Sequence, residues 1–362
     1  MNILIISGHP AQVHNFRILK NELELKGHKV FWIATNKDIS EYLLKKYSID
    51  HDIIEKPGKS ILLKIHTLVK NTKYCLKFLK TNNIDIIISR VSPYAALAGF
   101  LKRISHIAIA DTESSGIYNK VFAWLSSAVL TPKSFQRKLG SDQIRFDGNI
   151  ELFYLHPRRF RSLDNCEVAK LLGIEPMEIY IIMRFVSWDA YHDKGLTGFS
   201  DDNKLKAVKL FSKYGRVFIS SEKTLFKELE QYQIKIPPEK MHDLLKHAKL
   251  FFGESATMAS ESAVLGTPAI YLDKAGRGYT DEEQQYDLVY NYSNNPEEQE
   301  KSIEKGVELL RDPDLKYKMQ KSSENFLKDK IDVTAFFVWF IENWPESNRI
   351  MQEDPDYQYR FK

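Results

Sequence analysis

Short apolar runs alternate with helical patterns through the first half of the chain, which signals a parallel sheet covered by helices. The runs Ile3–Ser7, Lys29–Ala34, Asp52–Glu55, Asp85–Ser89, Ile107–Asp111 and Ala128–Thr131 predict strands. Val13–Lys26 has helical periodicity and stops at Gly27, so the first two strands and this helix form a βαβ unit around the loop Ser7-Gly8-His9-Pro10-Ala11. The rhythm breaks at His156-Pro157-Arg158-Arg159-Phe160-Arg161, a polar stretch that reads as a linker. It resumes with strands at Glu178–Phe185, Val217–Ser221, Leu250–Gly253 and Ala269–Leu272, and with helices at Asn203–Tyr214, Pro238–Lys246, Ala256–Leu265 and Pro296–Leu310. Phe336, Phe337, Phe340 and Ile341 predict a late helix over Ile331–Asn343, expected to pack back across the first domain. The polar tail Pro345–Lys362 is expected to be loose.

This pattern predicts an α/β protein of two Rossmann-like domains, residues 1–157 and 165–330, with parallel sheets facing a central cleft and residues 331–362 returning to the first. The chain's 362 residues are enough for two cores. Its net charge of +4 is spread without the dense Lys/Arg runs of a nucleic-acid arm, so nucleic acid is not an expected partner. Cys75 and Cys166 are far apart and lack metal or disulfide spacing, which fits a reducing cytoplasm. No stretch reaches the roughly 18 continuous apolar residues that span a bilayer. The opening apolar run ends at Gly8 and lacks the basic flank of a signal peptide.

In doubly wound sheets, ligands sit beyond the carboxyl ends of the strands, which places Gly8, His9, Arg90, Asp111 and Glu113 at one rim. Gly8 stands alone, so the Gly-x-Gly-x-x-Gly dinucleotide fingerprint is missing. His9 and His14 are candidates for a phosphate contact or a base, against surface or packing roles. Asp111-Thr112-Glu113 could take a proton from an attacking hydroxyl, or simply cap a helix.

The second domain is organised around residues 248–273, which read as strand, small-residue turn, helix and strand. A helix starting at Ser255-Ala256-Thr257 aims unpaired backbone N–H groups and a positive dipole end at the turn, a setting for a diphosphate. Glu261, one turn in, can accept from sugar hydroxyls, and the alternative is an ordinary crossover with Ser255 as its cap. Arg184 at a strand end can fork onto a phosphate, with Phe185, Trp188, Tyr191 and His192 nearby for stacking. Asp50-His51-Asp52 and Asp201-Asp202 look like metal pairs but overlap a strand start and a helix cap, so no metal site is expected. Lys59, Lys70, Lys73, Lys77 and Lys80 share an arc of roughly 80° on a helix whose other face carries Ile61, Ile65, Leu68, Leu76 and Leu79. Such a face is usually solvated, and it also suits peripheral contact with an anionic membrane at its inner face.

Ser-Ala-Thr-Met-Ala-Ser-Glu-Ser-Ala-Val-Leu-Gly-Thr-Pro-Ala-Ile at 255–270 resembles the Gly-Gly-Thr-Met-x-x-Glu-Ala-Ala-x-Leu-Gly-x-Pro-Ala-Ile motif of the domain-of-unknown-function 354 family. That family is related to GT-B glycosyltransferases and non-hydrolysing UDP-N-acetylglucosamine 2-epimerases. Val13-His14-Asn15-Phe16, Lys26-Gly27-His28-Lys29-Val30, Ser92-Pro93, Asp111-Thr112-Glu113, Phe153-Tyr154-Leu155-His156-Pro157 and Met183-Arg184-Phe185 through Trp188 match further landmarks in order. The resemblance implies a GT-B-like fold with the donor nucleotide held mainly by the second domain. Residue by residue, it implies the ribose at Glu261, the diphosphate at Ser255, Ala256 and Thr257, and a phosphate contact at Arg184. Glu254-Ser255-Ala256 departs from the family's glycine pair, and the epimerases' opening Gly-Thr-Arg-Pro-Glu is replaced by Ser7-Gly8-His9-Pro10-Ala11.

The expected activity is metal-independent transfer of a sugar from a UDP-linked nucleotide-diphosphate donor to a carbohydrate or lipid-linked acceptor in cell-surface polysaccharide or glycolipid synthesis. Asp111, Glu113 or His14 would act as base, Gly8 and His9 would bind substrate, and no cofactor is expected beside the nucleotide-sugar co-substrate. A nucleotide-sugar 2-epimerase and a non-catalytic nucleotide-sugar-binding module are the alternatives.

Overall fold

The computed structural model describes the chain except residues 37–38, 59, 114–115, 141, 187–197, 222–223 and 274–276, and the side chains of 116–119. The chain divides into two compact units, Met1–Tyr154 with Ile331–Lys362, and Leu155–Lys330. Its elements begin β1 (Asn2–Ser7), α1 (Pro10–Leu25), β2 (Lys29–Thr35), α2 (Ser40–Lys46), β3 (Asp52–Ile54), α3 (Ile61–Thr81) and β4 (Ile86–Ser89). There follow α4 (Pro93–Lys102), β5 (Ser105–Ile109), α5 (Gly116–Trp124), β6 (Ala128–Pro132), β7 (Gln143–Phe146) and α6 (Leu152–Leu155). The second unit continues with α7 (Asn165–Leu172), β8 (Tyr180–Phe185), α8 (Asp201–Phe211), β9 (Arg216–Ser221), α9 (Lys227–Glu230) and α10 (Met241–His247). Next come β10 (Leu250–Gly253), α11 (Ala256–Val264), β11 (Ala269–Leu272), α12 (Gly278–Gln284), β12 (Val289–Tyr292), α13 (Pro296–Arg311) and α14 (Leu315–Asp329). The chain then re-enters the first unit as α15 (Val333–Glu342) and α16 (Glu346–Glu353), and a 3₁₀ turn covers Pro355–Phe361.

The first unit holds a parallel sheet in the order β3-β2-β1-β4-β5-β6-β7. Ile3, Leu4, Ile5 and Ile6 of its inner strand β1 are all buried, which is why that strand reads as an unbroken apolar run. Leu4, Ile6, Ile87, Cys75, Leu79 and Ala98 join in one core cluster that brings α3 and α4 onto one face of the sheet. Burial pushes the Cys75 thiol up to about 12, so it packs as an apolar group.

His106 on β5 is also buried, between Ser89 Oγ (2.8 Å from Nε2) and Ser126 Oγ (3.0 Å from Nδ1). Because Ser126 donates its own proton to Phe122 O at 2.7 Å, it must accept from His106, so the ring proton sits on Nδ1. Desolvation holds the His106 pKa down to about 3 against an unfolded value near 6.5. The unfolded chain therefore binds the extra proton first, and His106 destabilises the fold as pH drops below about 6.5. Between pH 6.5 and pH 5 this loss is about 1.6 kcal/mol. Denaturant titrations of wild type and His106→Asn at the two pH values should show the wild type losing that much more; parallel losses would contradict the neutral imidazole.

The late helix α15 packs by its aromatic side chains within the first unit, with Phe337 and Phe153 ring centroids 4.7 Å apart and Thr334 Oγ1 donating to Phe153 O at 2.9 Å. The tail expected to be loose is ordered instead. Ser347, Met351 and Gln358 are buried, and Trp339 of α15 stacks on Tyr357 at 4.7 Å. Gln358 accepts from Asp147 N at 2.6 Å and donates to Arg145 O at 3.2 Å, so a side-chain amide satisfies backbone groups along the exposed side of edge strand β7.

The second unit is a parallel sheet in the order β12-β11-β10-β8-β9, with Phe199, Phe211 and Phe252 meeting in its core. Strands β7 and β12, which the apolar pattern misses, are four-residue strands, each at one edge of its sheet. In β7, buried Ile144 and Phe146 alternate with half-buried Gln143 and Arg145.

Candidate functional site

In the first unit, strand ends and helix starts enclose a cavity of about 470 Å³ lined by Gly8, Thr35, Lys56, Arg90, Ser92 and Asp111 among others. Gly8 sits between β1 and α1, where its N–H donates to Gln12 Oε1 at 2.7 Å. Arg90 leaves the end of β4 and its Nη2 donates to Asp111 Oδ1, while Thr112 Oγ1 donates to the same oxygen at 3.1 Å. Val91 beside it has φ +41°, a left-handed conformation unusual for a β-branched residue and of a kind that gathers at functional sites. The turn holds because Ser89 Oγ accepts from Ser92 N at 3.0 Å. Ser92 in turn caps α4, whose first residues Pro93 and Tyr94 line the cavity with its N-terminus. Burial pushes the Tyr94 hydroxyl up in pKa, and it is 3.1 Å from Thr35 Oγ1.

The other rim candidates lie outside that lining. His9 is exposed and caps α1, its Nδ1 accepting from Ala11 N at 3.2 Å. His14 is buried, 3.3 Å from Tyr47 OH through Nδ1 and with its ring 5.7 Å from that of Tyr154. Glu113 accepts from Gln136 N at 3.4 Å. The cavity thus gathers Gly8, Arg90 and Asp111 and not His9, His14 or Glu113.

In the second unit, β8 and β10 run side by side with Arg184 in register with Gly253. A Cβ on Gly253 would lie 2.8 Å from Arg184 N and closer still to its O, so glycine alone permits this approach. The strand contact delivers the half-buried Arg184 side chain and the start of α11 to neighbouring strand ends. Arg184 Nη1 donates to Ser220 Oγ at 2.7 Å. Ser255 caps α11 by accepting from Met258 N at 3.3 Å, and Ser255, Ala256 and Thr257 remain half-buried at its N-terminus.

Glu254, which directly precedes the Ser255-Ala256 pair standing where the family motif has two glycines, is buried and holds backbone. Its Oε1 accepts from Phe199 N at 2.6 Å and its Oε2 from Val186 N at 3.1 Å. Glu261 is 5% exposed, and its Oε1 lies 2.9 Å from Nε2 of His242, a partner from α10 that sequence spacing does not reveal. Beyond β11, Asp273 accepts from Tyr271 OH at 2.7 Å and from Arg277 Nη2 at 3.2 Å, a strand-end pair also missed by sequence. Phe185, a candidate stacking residue, is instead a core side chain stacked on Phe199 at 6.2 Å. Trp188, Tyr191 and His192 lie outside the described residues.

Among the described residues no group of three His, Cys, Asp or Glu side chains is placed to hold a metal ion. His51 Nδ1 is 2.7 Å from Ile49 O, and Asp201 pairs with Lys204 at 2.8 Å. Among the same residues no helix is long and apolar enough to cross a membrane.

Two Rossmann-like parallel sheets, each presenting charged and small residues beyond its strand ends, define an α/β protein of GT-B-like class. The chain belongs to the family described as "Protein of unknown function (DUF354)", which it matches over residues 1–277. No curated protein sequence matches it significantly. Among solved structures, it is similar to UDP-GlcNAc 2-epimerase from Neisseria meningitidis bound to UDP-GlcNAc, at TM-score 0.61 and 15% identity over 91% of this chain and 99% of that one. It is also similar to MnaA of S. aureus in its UDP co-structure, at TM-score 0.69 and 13% identity over 96% and 97% of the two chains. The spinosyn rhamnosyltransferase SpnG, complexed with spinosyn aglycone, matches at TM-score 0.62 and 11% identity over 95% and 100%. At these identities the likeness is one of fold.

Proposed function

We propose that this chain is a glycosyltransferase that uses a UDP-linked sugar in cell-surface polysaccharide or glycolipid synthesis. The observation that carries it is the Arg184–Gly253 register, which sets a guanidinium and a capped helix N-terminus at adjacent strand ends. Both favour negative charge, so Arg184, Ser255, Ala256 and Thr257 are assigned to the diphosphate, where they would also stabilise the departing charge. Glu261 is assigned to the ribose, with His242 orienting its carboxylate. In the first unit the cavity takes the acceptor. Its base is assigned to Asp111, because of Asp111, Glu113 and His14 only Asp111 lines that cavity. The free thiols Cys75 and Cys166 are in keeping with work in the cytoplasm.

The test is thermal unfolding with UDP, GDP, CDP and their sugar conjugates, for wild type and Arg184→Ala. A nucleotide at about 100 times its dissociation constant adds roughly 2.7 kcal/mol. UDP compounds are expected to stabilise the wild type by that order and the variant far less. If no nucleotide shifts the transition, the donor assignment is wrong.

The similarity to the Neisseria epimerase with its bound UDP-GlcNAc favours a second reading, 2-epimerisation at the same donor site. Proton NMR of UDP-GlcNAc incubated with the protein alone separates the two. A new sugar nucleotide without an acceptor supports the epimerase, whereas UDP release that requires an acceptor supports transfer.

A further inference from the structure

The basic helix predicted over residues 59–80 forms as α3, but it meets the core differently from its periodicity. The stripe it buries is Thr67, Asn71, Thr72, Cys75 and Leu79. Ile61 and Ile65 share the azimuth of Thr72 and Leu79, yet they are not among the buried residues. Residues 61–66 are exposed all round, with Ile61 76%, Leu62 80%, Leu63 54% and Ile65 54% exposed, and Val69 adds 48% a turn later. A helix start that buries polar Thr67 and Asn71 while presenting four branched aliphatic side chains to solvent has an unmet apolar surface.

We propose that the first turns of α3 dock this protein on an anionic lipid surface. The charge around the apolar tip selects that occupant. From Lys56 to Asn83 the sequence holds no Asp or Glu, and exposed Lys64, Lys70, Lys73, Lys77 and Lys80 follow along the helix. Glu55 pairs with Lys70, and Lys59 lies outside the described residues. A second copy of the chain docking by the same patch would bring lysine against lysine, since a two-fold interface matches each surface with itself. A bilayer rich in acidic headgroups accepts both parts, with aliphatic side chains entering the acyl boundary and lysines staying among the phosphates. Lys56 and Pro57, just before the Ser60 cap of α3, line the first unit's cavity, so docking would hold that cavity near lipid. The docking goes beyond the proposed reaction and does not depend on it.

The experiment is co-sedimentation of the full chain with vesicles of phosphatidylglycerol and of phosphatidylcholine. It uses wild type, Leu62→Glu/Ile65→Glu and Lys73→Glu/Lys77→Glu, each first shown to unfold at the wild-type temperature. Binding is expected to phosphatidylglycerol and not to phosphatidylcholine, weakened at least about tenfold by the glutamates at the apolar tip. The lysine variant is expected to bind more weakly and with a shallower salt dependence. The proposal is overturned by absence of binding to phosphatidylglycerol or by equal binding of Leu62→Glu/Ile65→Glu. It is likewise overturned by a wild-type dimer in sedimentation velocity that this variant disperses, which would make the patch a contact between copies.

Discussion

Gly253→Ala is expected to lower the stability of the second unit by about 3 kcal/mol and to remove nucleotide stabilisation with it. The added methyl would stand 2.8 Å from Arg184 N and 3.0 Å from Arg184 C, with the carbonyl oxygen closer still. Those atoms are backbone at the end of the β8/β10 ladder, held on the other side by β9, so no side-chain rotation can make room. The ends of β8 and β10 must part, which disturbs the bond from Glu254 N to Arg184 O at 3.0 Å and moves the start of α11 away from Arg184. For a unit of this size, such a loss lowers the melting temperature by roughly 6–12 °C. Calorimetry with and without UDP checks both parts. A transition within about 2 °C of wild type that still rises with UDP would show that the strand contact is neither tight nor needed for the site.

The inner strands were legible because burial on both faces makes their sequences continuously apolar, as in Ile3–Ile6 and Leu250–Phe252. Strands β7 and β12 were not, since β7 alternates half-buried with buried residues and only Val289 of β12 is buried, so neither gives an apolar run. The tail misled for a related reason. Its polar composition signals solvent, but Gln358 is turned inward to serve backbone groups of β7, a use of a polar side chain that only the tertiary partner reveals. In α3 the periodicity correctly announced a helix and lysines on an exposed face. It could not show which part of the apolar face is buried, where Leu79 joins the core and Ile61 and Ile65 stay exposed.

The strand-end rule brought Gly8, Arg90 and Asp111 into view, because the rule depends only on where apolar runs end. It cannot rank residues within a rim. His9 proves to be a helix cap, and His14 is buried against two tyrosines. The strained φ of Val91 leaves no mark in the sequence, where valine suggests only a strand. Motif reasoning found Glu261 but not His242, which lies in a preceding helix and reaches it only through the packing of α10 on α11. It also noted Glu254 only as part of a turn that departs from the family's, whereas the carboxylate is a structural tie.

That tie supports the other large expected effect. Glu254→Ala should destabilise the second unit by about 2–4 kcal/mol, because two N–H groups, of Val186 and Phe199, lose a charged acceptor and water has little access to replace it. Glu254→Gln keeps one acceptor oxygen but turns an amide N–H₂ toward the other donor, so it should cost about 1–2 kcal/mol. Neither change touches the Gly253–Arg184 strand contact, so both variants should retain the sheet. Their effect on the ligand is expected to arise where Glu254 joins the end of β8 to the turn before α11, loosening Arg184 relative to Ser255 and raising the dissociation constant for UDP. Urea titration measures the first quantity and UDP titration by calorimetry the second. If the alanine variant is as stable as wild type, the two hydrogen bonds contribute nothing. If it is destabilised yet binds UDP with wild-type affinity, Glu254 serves the fold alone and has no bearing on the donor.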